Sequence, residues 1–348
     1  MNQDAVKRDF IEACYGRPVA RRPIWVMRQA GRYQKSYRAV RARHSFEEVC
    51  TTPELACKVT LQPIQEFDLD AAILFSDILT IFPPMGLPVS FEDGGPKIAE
   101  PIRRPDQVDR VFRLDPEEGV GFVLEAIKMI RRALPERVPL IGFAGAPFTL
   151  ACYAIEGATS REFAIARRFL YREPEAAERL LARLADAVGD YLAAQIDAGA
   201  DAVQIFDSWG GLLSEREYRK RVLPHMKAIV ARLKRPGVPV IVFLNGSSHL
   251  VSAMADTGCD VIGVDWRTDL QMAAFKSGST TAIQGNLDPL ALYADKSEIR
   301  DQARDIMKEM DSIPKGHIFN LGHGILPTTP EENLMTLVET VHSTPPAR

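Results

Sequence analysis

The chain has 348 residues, of which 46% are hydrophobic and 26% are charged, and its formal net charge is −3 at pH 7. This balance is typical of a soluble globular protein and argues against bulk nucleic-acid binding. No run approaches the roughly 18 apolar residues of a membrane span, and the polar N-terminal residues argue against a secretory signal. The five scattered cysteines form no CxxC pair, which argues against a disulfide framework and favours a reducing cytoplasm.

Short apolar runs alternate with longer amphipathic patterns along the chain. Runs that are apolar on consecutive positions are typical of parallel strands buried on both faces. Such strands are predicted at 23–27, 71–75, 140–144, 202–206, 240–244, 261–265, 281–285 and 317–321. Amphipathic helices are predicted at 45–67, 173–199, 214–235 with Ser214 as N-cap, and 329–343.

The alternation predicts an α/β fold, a single-domain (β/α)8 TIM barrel spanning residues 1–348. An open doubly wound sheet is the alternative, but it would require a glycine-rich loop after the first strand, where "MRQAGRY" contains one glycine. Residues 82–136 are too many for one strand-to-helix connection. They are predicted to form an inserted excursion after the second strand, with a hairpin that turns at Asp93-Gly94-Gly95.

Polar residues and glycines gather just after the predicted strands and are nearly absent within them. In a barrel the carboxyl ends of the strands meet on one face, and that face carries the chemistry. The residues at these ends therefore predict a pocket. In chain order they are Arg28, Gln29, Ala30, Gly31, Arg32, Ser76, Asp77, Tyr153, Asp207, Ser208, Asn245, Gly246, Asp265, Trp266, Gly285, Asn286, Leu287, Asp288, Gly322, His323 and Gly324.

The segment 21–43 is strongly basic, with seven arginines, one lysine and no acidic residue. A guanidinium binds a carboxylate or phosphate through two parallel hydrogen bonds and keeps its charge, so Arg28 and Arg32 at the pocket predict a polyanionic ligand. The alternative, equally supported by the spacing, is that these arginines pair with acids elsewhere in the fold. That surface interpretation is favoured for three others: Arg21, Arg22 and Arg43.

Four other residues at the strand ends each allow a functional and a structural interpretation. Asp77 could stabilise positive charge or act as an acid or base, or it could cap the next helix. His323 stands between two glycines that could let the backbone approach a ligand, or it could cap a turn. Tyr153 is more often a core residue than a ligand contact. Ser208 lacks the G-x-S-x-G elbow of a nucleophile, so its hydroxyl is interpreted as a hydrogen-bond donor.

The sequence carries no recognisable cofactor or metal signature. The six histidines are scattered, without an HExxH, HxH or paired-cysteine pattern. Neither a P-loop nor a nicotinamide fingerprint is present. These observations predict a site that uses no metal and no cofactor and that faces a small polyanion.

At this point the motifs resemble those of the uroporphyrinogen decarboxylase family of haem biosynthesis. The N-terminal motif "PIWVMRQAGRY" and the C-terminal motif "NLGHGILPTTPEENL" are together highly specific. Five further matches follow in the family's order, and the resemblance covers nearly the whole chain. They lie at 69–79, 142–157, 205–211, 263–270 and 284–289.

The resemblance implies a cytoplasmic single-domain barrel, usually a homodimer with its two clefts facing each other. It implies removal of carbon dioxide from the four acetate side chains of uroporphyrinogen III, giving coproporphyrinogen III, without metal or prosthetic group. The substrate's eight carboxylates would explain the arginines.

By the same resemblance, Asp77 accepts the pyrrole N–H groups, and with Arg28 and Arg32 it forms the candidate catalytic set. An arginine is a poor proton donor because its pKa is so high, so the donor stays unassigned. The implied substrate-binding residues are Arg28, Gln29, Ala30, Gly31, Arg32, Arg41, Asp77, Phe143, Tyr153, Phe206, Ser208 and His323, of which Phe143 and Phe206 form apolar walls.

Three alternative functions remain compatible with a barrel. A corrinoid-dependent methyltransferase would need a zinc site of His and Cys, and no cysteine stands beside a histidine at a strand end. A tetrapyrrole carrier would keep the arginines but would not need Asp77. A glycosidase would pair two carboxylates at strand ends, such as Asp77 with Asp207 or Asp265.

Overall fold

The computed structural model describes residues 9–92 and 95–346. Seven parallel strands form one curled sheet and are neighbours in chain order. They are β1 (Ala72–Ile73), β4 (Leu140–Gly145), β5 (Ala202–Asp207), β6 (Val240–Leu244), β7 (Val261–Val264), β8 (Ala282–Gln284) and β9 (His317–Ile318). Each lies within or within one residue of a predicted strand, so seven of the eight predictions are confirmed.

The first predicted strand, 23–27, is not assigned as a strand. It makes one parallel bridge, between Ile24 and Phe319, and the Phe319 N–H donates to the Pro23 carbonyl at 2.8 Å. On its other side the Asp70 N–H donates to the Ile24 carbonyl at 2.8 Å. The Ile24 N–H, however, donates to the Asp70 carboxylate at 2.8 Å. This side-chain partner replaces a backbone carbonyl, and Pro23 has no N–H, so the segment makes no regular ladder.

Fourteen α-helices are assigned in the described part of the chain. The first seven are α1 (Asp9–Cys14), α2 (Lys35–Arg41), α3 (Phe46–Thr51), α4 (Pro53–Phe67), α5 (Pro116–Ala133), α6 (Pro147–Glu156) and α7 (Ala164–Arg172). The others are α8 (Pro174–Ala198), α9 (Glu215–Arg221), α10 (Leu223–Leu233), α11 (Val251–Ala255), α12 (Leu270–Lys276), α13 (Lys296–Asp311) and α14 (Glu331–Ser343). None of these helices has both the length and the apolar character to cross a membrane.

Two of the predicted helices are divided by proline. Pro53 begins α4, so the pattern 45–67 forms α3 and α4. Pro224 similarly lies in the first turn of α10, so α9 and α10 replace one helix. A proline lacks the N–H that a continuous helix would use, and it fits the first turn of a new one. Ser214 caps α9 as predicted, because its hydroxyl accepts the Glu217 N–H at 3.3 Å.

The strands are buried on both faces, which explains their unbroken apolar sequences. One set of side chains packs inside the curl with α1, including Phe10, Trp25, Ile141 and Phe243. The alternate set packs outward against the helices, as Val203 and other residues do. Because α1 joins the inner cluster, it covers the amino end of the sheet and leaves the carboxyl end as the place for a pocket.

A separate antiparallel hairpin is formed by β2 (Val89–Glu92) and β3 (Gly95–Ile98), where Val89 pairs with Ile98 and Glu92 with Gly95. The predicted hairpin is therefore present. Of its predicted turn, Asp93 and Gly94 lie outside the described residues, and Gly95 already belongs to β3. An antiparallel bridge between Lys97 and Ala158 ties the hairpin to the chain that follows α6.

Candidate active site at the carboxyl end of the sheet

A pocket of about 610 Å³ opens at the carboxyl end of the parallel sheet. Its lining brings together residues from segments that are far apart in the sequence. Eleven of the twelve residues proposed as substrate-binding line it: Arg28, Gln29, Ala30, Gly31, Arg32, Asp77, Phe143, Tyr153, Phe206, Ser208 and His323. Arg41 does not.

The turn at 28–32 presents two arginines on an anchored backbone. Gln29 is almost fully buried. Its side-chain amide donates to the Ala71 carbonyl at 3.3 Å, and its backbone carbonyl accepts a hydrogen bond from the Tyr33 hydroxyl at 2.7 Å. Arg28 and Arg32, by contrast, are exposed, and no described carboxylate lies within ion-pair distance of either. The buried glutamine therefore anchors the turn, while the two guanidinium groups remain available to an anion.

Arg28 requires unusual local geometry. Its backbone φ is 63°, in the left-handed region that L-residues rarely adopt. A Cβ on Gly324 would lie 2.5 Å from the Arg28 Cδ, and a Cβ on Gly322 would collide with the Trp266 backbone. The glycines beside His323 therefore leave room for protein atoms that shape the pocket.

Asp77 provides the carboxylate of the pocket. The Leu79 N–H donates to its Oδ1 at 2.8 Å, so Asp77 caps the short turn after β1 and does not cap a helix. Burial raises the pKa of Asp77 to about 6, although the Leu79 hydrogen bond and the positive charge of Arg28 oppose this rise. At pH 7 the group is therefore mainly ionised, but at an energetic cost that a cationic partner would reduce.

The walls of the pocket are aromatic. The Phe143 and Phe206 rings meet edge to face with centroids 5.5 Å apart, and Phe206 stands 5.9 Å from Phe243. Tyr153 packs against Phe163 at 5.6 Å, and burial raises the pKa of its phenol. Such walls suit a large apolar body that carries polar groups on its rim.

His323 lies between aromatic rings and positive charge. Its ring contacts Phe243 and Trp266 edge to face, at 6.3 and 6.4 Å. Burial, assisted by the charges of Arg28 and Arg267, lowers the pKa of His323 to about 4. The imidazole is therefore neutral at pH 7, with one nitrogen that donates and one that accepts.

Arg41 stands one layer behind the pocket. Its guanidinium donates to the His44 carbonyl and lies 5.8 Å from the Phe46 ring centre. Phe46 and Tyr37 do line the pocket, and Arg41 also influences the ionisation of the Tyr37 phenol. Arg41 therefore supports the wall of the pocket instead of lining it.

The chain is similar to known proteins over nearly its whole length. The model of the family described as uroporphyrinogen decarboxylase (URO-D) matches residues 6–344. The chain belongs to the uroporphyrinogen decarboxylase family.

Relatives named "Uroporphyrinogen decarboxylase" include the Nitrosococcus oceani protein, 50% identical over 339 residues, which are 96% of this chain and 95% of the relative. The Geobacter metallireducens protein is 49% identical over 333 residues, 96% of this chain and 97% of the relative. The Chloroflexus aurantiacus protein is 50% identical over 341 residues, 97% of this chain and 96% of the relative.

Two solved structures share the fold of this uroporphyrinogen decarboxylase family member. A methyltransferase from Methanosarcina mazei has a TM-score of 0.82 at 21% identity, covering 97% of this chain and 98% of that one. A B12-independent methionine synthase from Shewanella has a TM-score of 0.57 at 13% identity, with 85% and 89% covered. At these identities the likeness concerns the fold alone. Among the described residues, no three His, Cys, Asp or Glu side chains gather as metal ligands.

The glycosidase alternative fails on geometry. Asp207 is fully buried and accepts the Thr149 hydroxyl at 2.7 Å. Asp265 is also fully buried and is bonded by Arg267 and Thr268. Neither lines the pocket, so Asp77 is the only carboxylate among the described lining residues. A pair of facing carboxylates is therefore not formed in the family member described here.

The remaining lining residues are not among those proposed as substrate-binding. They are Met27, Tyr37, Phe46, Ile73, Leu74, Phe75, Ser76, Ile78, Leu79, Pro96, Thr159, Trp209, Phe243, Asn245, Gly324, Ile325 and Pro327. Ser76, Asn245 and Gly324 belong to the strand-end residues that predict the pocket, although none of them was given a role in binding. Phe46 and Pro96 lie on α3 and β3, which reach the pocket only through tertiary packing.

Proposed function

We propose that this chain removes carbon dioxide, without a cofactor, from the four acetate side chains of uroporphyrinogen III to give coproporphyrinogen III in porphyrin and haem biosynthesis. It would thus be a carboxy-lyase. The observation that carries the proposal is the pocket itself, where two arginines without an acidic partner among the described residues share an aromatic cavity with one carboxylate. Membership of the family gives the reaction its name.

Arg28 and Arg32 would bind carboxylates at the rim of the macrocycle. A guanidinium offers two parallel N–H groups that match a carboxylate, and such charge-assisted bonds are about twice as strong as neutral ones. Ser208 and His323 can each donate one further hydrogen bond, and the aromatic walls would contact the apolar ring faces. The two arginines would thus select for an anionic substrate.

Asp77 would stabilise the positive charge that develops during the reaction. Protonation of the pyrrole at a ring carbon makes the ring cationic. The bond between the acetate methylene and its carboxylate then breaks, carbon dioxide leaves, and the electron pair neutralises the ring as an enamine-like species. The methylene carbon finally gains a proton and the ring carbon loses one, which gives a methyl group. A buried carboxylate beside the pyrrole N–H groups lowers the energy of the cationic stages.

We also propose that residues 1–348 form a single domain, a closed (β/α)8 barrel in which 23–27 is the eighth member and 82–136 is the inserted excursion. The backbone hydrogen bonds that join Pro23 to Phe319 and Ile24 to Asp70 support closure of the barrel.

A homodimer with facing clefts is proposed as well, in the cytoplasm. Its support, besides the family, is the set of exposed apolar side chains that includes Trp266, Leu290 and Tyr293.

The test is an anaerobic incubation with freshly reduced uroporphyrinogen III, followed by oxidation and separation of products by carboxylate number. Seven-, six-, five- and finally four-carboxylate species are expected, without added metal or cofactor. If the substrate binds but keeps all eight carboxylates, the chain would be a carrier or a methyltransferase relative. Bound zinc would then identify the methyltransferase relative. Sedimentation analysis tests the homodimer, because a monomer at all concentrations would contradict it.

A further inference from the structure

Asn245 is a polar lining residue to which neither the family resemblance nor the mechanism gives a role. It follows β6 directly, at the carboxyl end of the sheet, and its side chain is half-buried in the pocket wall. Its Oδ1 accepts a hydrogen bond from the Arg267 guanidinium at 2.7 Å. Because an arginine has no acceptor, this contact fixes the orientation of the amide and leaves Nδ2 with its two N–H groups toward other partners.

Arg267 is itself held firmly. Its guanidinium donates to the Asp265 Oδ2 at 2.6 Å and stacks over the Trp266 ring, 4.5 Å from the ring centre. Asp265 is fully buried and also accepts from the Gly246 N–H, the Arg267 N–H and the Thr268 hydroxyl. The charge of Arg267 is thus balanced by Asp265, and its remaining contact orients the neighbouring amide. No described residue accepts a hydrogen bond from that amide's Nδ2.

The position of Asn245 matters as much as its chemistry. Around the sheet, the segment 23–27 neighbours β9 on one side and the start of β1 on the other. Counting around the sheet from that segment in one direction, β1, β4 and β5 come first and β6 is fourth. In the other direction, β9, β8 and β7 come first and β6 is again fourth. Asn245 therefore stands across the pocket from the turn that carries Arg28 and Arg32.

We propose that Asn245 is a substrate-binding residue that donates its Nδ2–H to a carboxylate on the side of the macrocycle opposite the two arginines, with Arg267 as the positioning residue. This inference rests on the proposed function, because it requires a substrate with carboxylates around its whole rim. A neutral donor on the far wall suits a substrate that must turn between successive decarboxylations, since it binds a carboxylate less tightly than an arginine would.

The decisive variant is Asn245→Asp, compared with Ser248→Ala. The aspartate would keep an oxygen toward Arg267, so the structural contact survives, but the donor becomes an acceptor that repels a substrate carboxylate. The KM for uroporphyrinogen III is expected to rise by about tenfold or more, with kcat within about threefold of wild type. Ser248 lies three residues further along the same loop and outside the lining, so Ser248→Ala should keep wild-type constants.

A purely structural role for Asn245 predicts the opposite result. Asn245→Asp would then keep its KM, because the contact with Arg267 is retained and gains charge. A KM within about twofold of wild type, or a loss confined to kcat, overturns the proposal. Thermal melting of both variants checks that they fold. If Asn245→Asp does not fold, Asn245→Ser replaces it, because serine keeps a small hydrogen-bond donor. Its KM should lie between those of the wild type and Asn245→Ala.

Arg267 is tested by a double-mutant cycle. Arg267→Ala should raise KM by about threefold alone and add nothing to KM in an Asn245→Ala background, because its proposed effect on substrate binding passes through the amide. Additive losses would overturn its positioning role. If the wild type shows no turnover, the proposed function fails independently of the role of Asn245. Anaerobic calorimetric titration with uroporphyrinogen III then measures binding alone. A roughly tenfold weaker affinity for Asn245→Asp supports the proposal, and an unchanged affinity overturns it.

Discussion

The arginines at the two ends of the sheet differ in what balances their charge. At the amino end, Arg21 forms ion pairs with Asp68 and Asp70, and Arg22 with Asp311. At the carboxyl end, a few residues further along the same basic segment, Arg28 and Arg32 lie within ion-pair distance of no described carboxylate. One short stretch of sequence therefore contains two kinds of arginine. Some have acidic partners within the protein, and others are proposed to bind the substrate.

This difference in charge balance indicates that the arginines at the amino end contribute to stability and those at the carboxyl end to function. Arg22 is 3% exposed, and burial lowers the pKa of its guanidinium, which the charge of Asp311 counteracts. A buried cation is tolerated there because its partner is permanent. The cations at the carboxyl end would instead meet a partner that binds and leaves. We therefore expect substitutions at the amino end to lower stability and substitutions at the carboxyl end to lower substrate affinity or turnover.

The largest effect is expected for Asp77→Asn, which keeps the size of the side chain and removes its charge. Without the carboxylate, the cationic ring loses its stabilisation, and kcat should fall by about 10²–10³-fold. Anaerobic turnover of uroporphyrinogen III measures this. Near-normal turnover would exclude the electrostatic role of Asp77.

Arg32→Ala should raise KM or lower kcat/KM by about 10- to 100-fold, because a charge-assisted contact to a substrate carboxylate is lost. Arg32→Lys should recover only part of this loss, since an ammonium cannot make two parallel bonds. Arg43→Ala is the matched control, because Arg43 is exposed in the same segment and outside the pocket lining. Equal kinetics for Arg32→Ala and Arg43→Ala would make Arg32 a surface residue.

Arg22→Met should reduce the free energy of unfolding by about 2 kcal/mol and leave KM unchanged. The substitution removes one member of a buried ion pair, and the partial exposure of Asp311 keeps the loss below that of a fully buried pair. Urea denaturation and steady-state kinetics measure the two quantities on the same preparation. A raised KM with unchanged stability would reverse the assignment of the two ends.

The smallest effect is expected from pH. In the proposed mechanism turnover requires ionised Asp77, so kcat/KM should fall about tenfold per unit as the pH decreases below about 6. Stability moves the other way: the folded-state pKa lies above the ordinary value, so protonation favours the folded form and ionised Asp77 destabilises it at neutral pH. Asp77→Asn should therefore melt higher than wild type at pH 7, with the difference shrinking toward pH 5. A constant difference would contradict the raised pKa.

The strands and their order could be predicted because burial on both faces leaves a local mark, a run of consecutive apolar residues. The exception is 23–27, where the Asp70 carboxylate replaces a backbone acceptor. Asp70 stands 46 positions from Ile24, so no local pattern could reveal it. The helix breaks at Pro53 and Pro224 were visible in the sequence but were overridden by the apolar periodicity around them.

For the candidate site, the order of amino acids was enough to predict the residue types: guanidinium groups, carboxylates at the strand ends and the family that combines them. Which arginines are balanced by acids and which face the pocket depends on the folded chain, because ion pairs join residues distant in sequence. Tertiary packing also placed Arg41 behind Phe46, buried Asp207 and Asp265, and oriented Asn245. Residue type is a local property, whereas exposure and partnership belong to the whole fold.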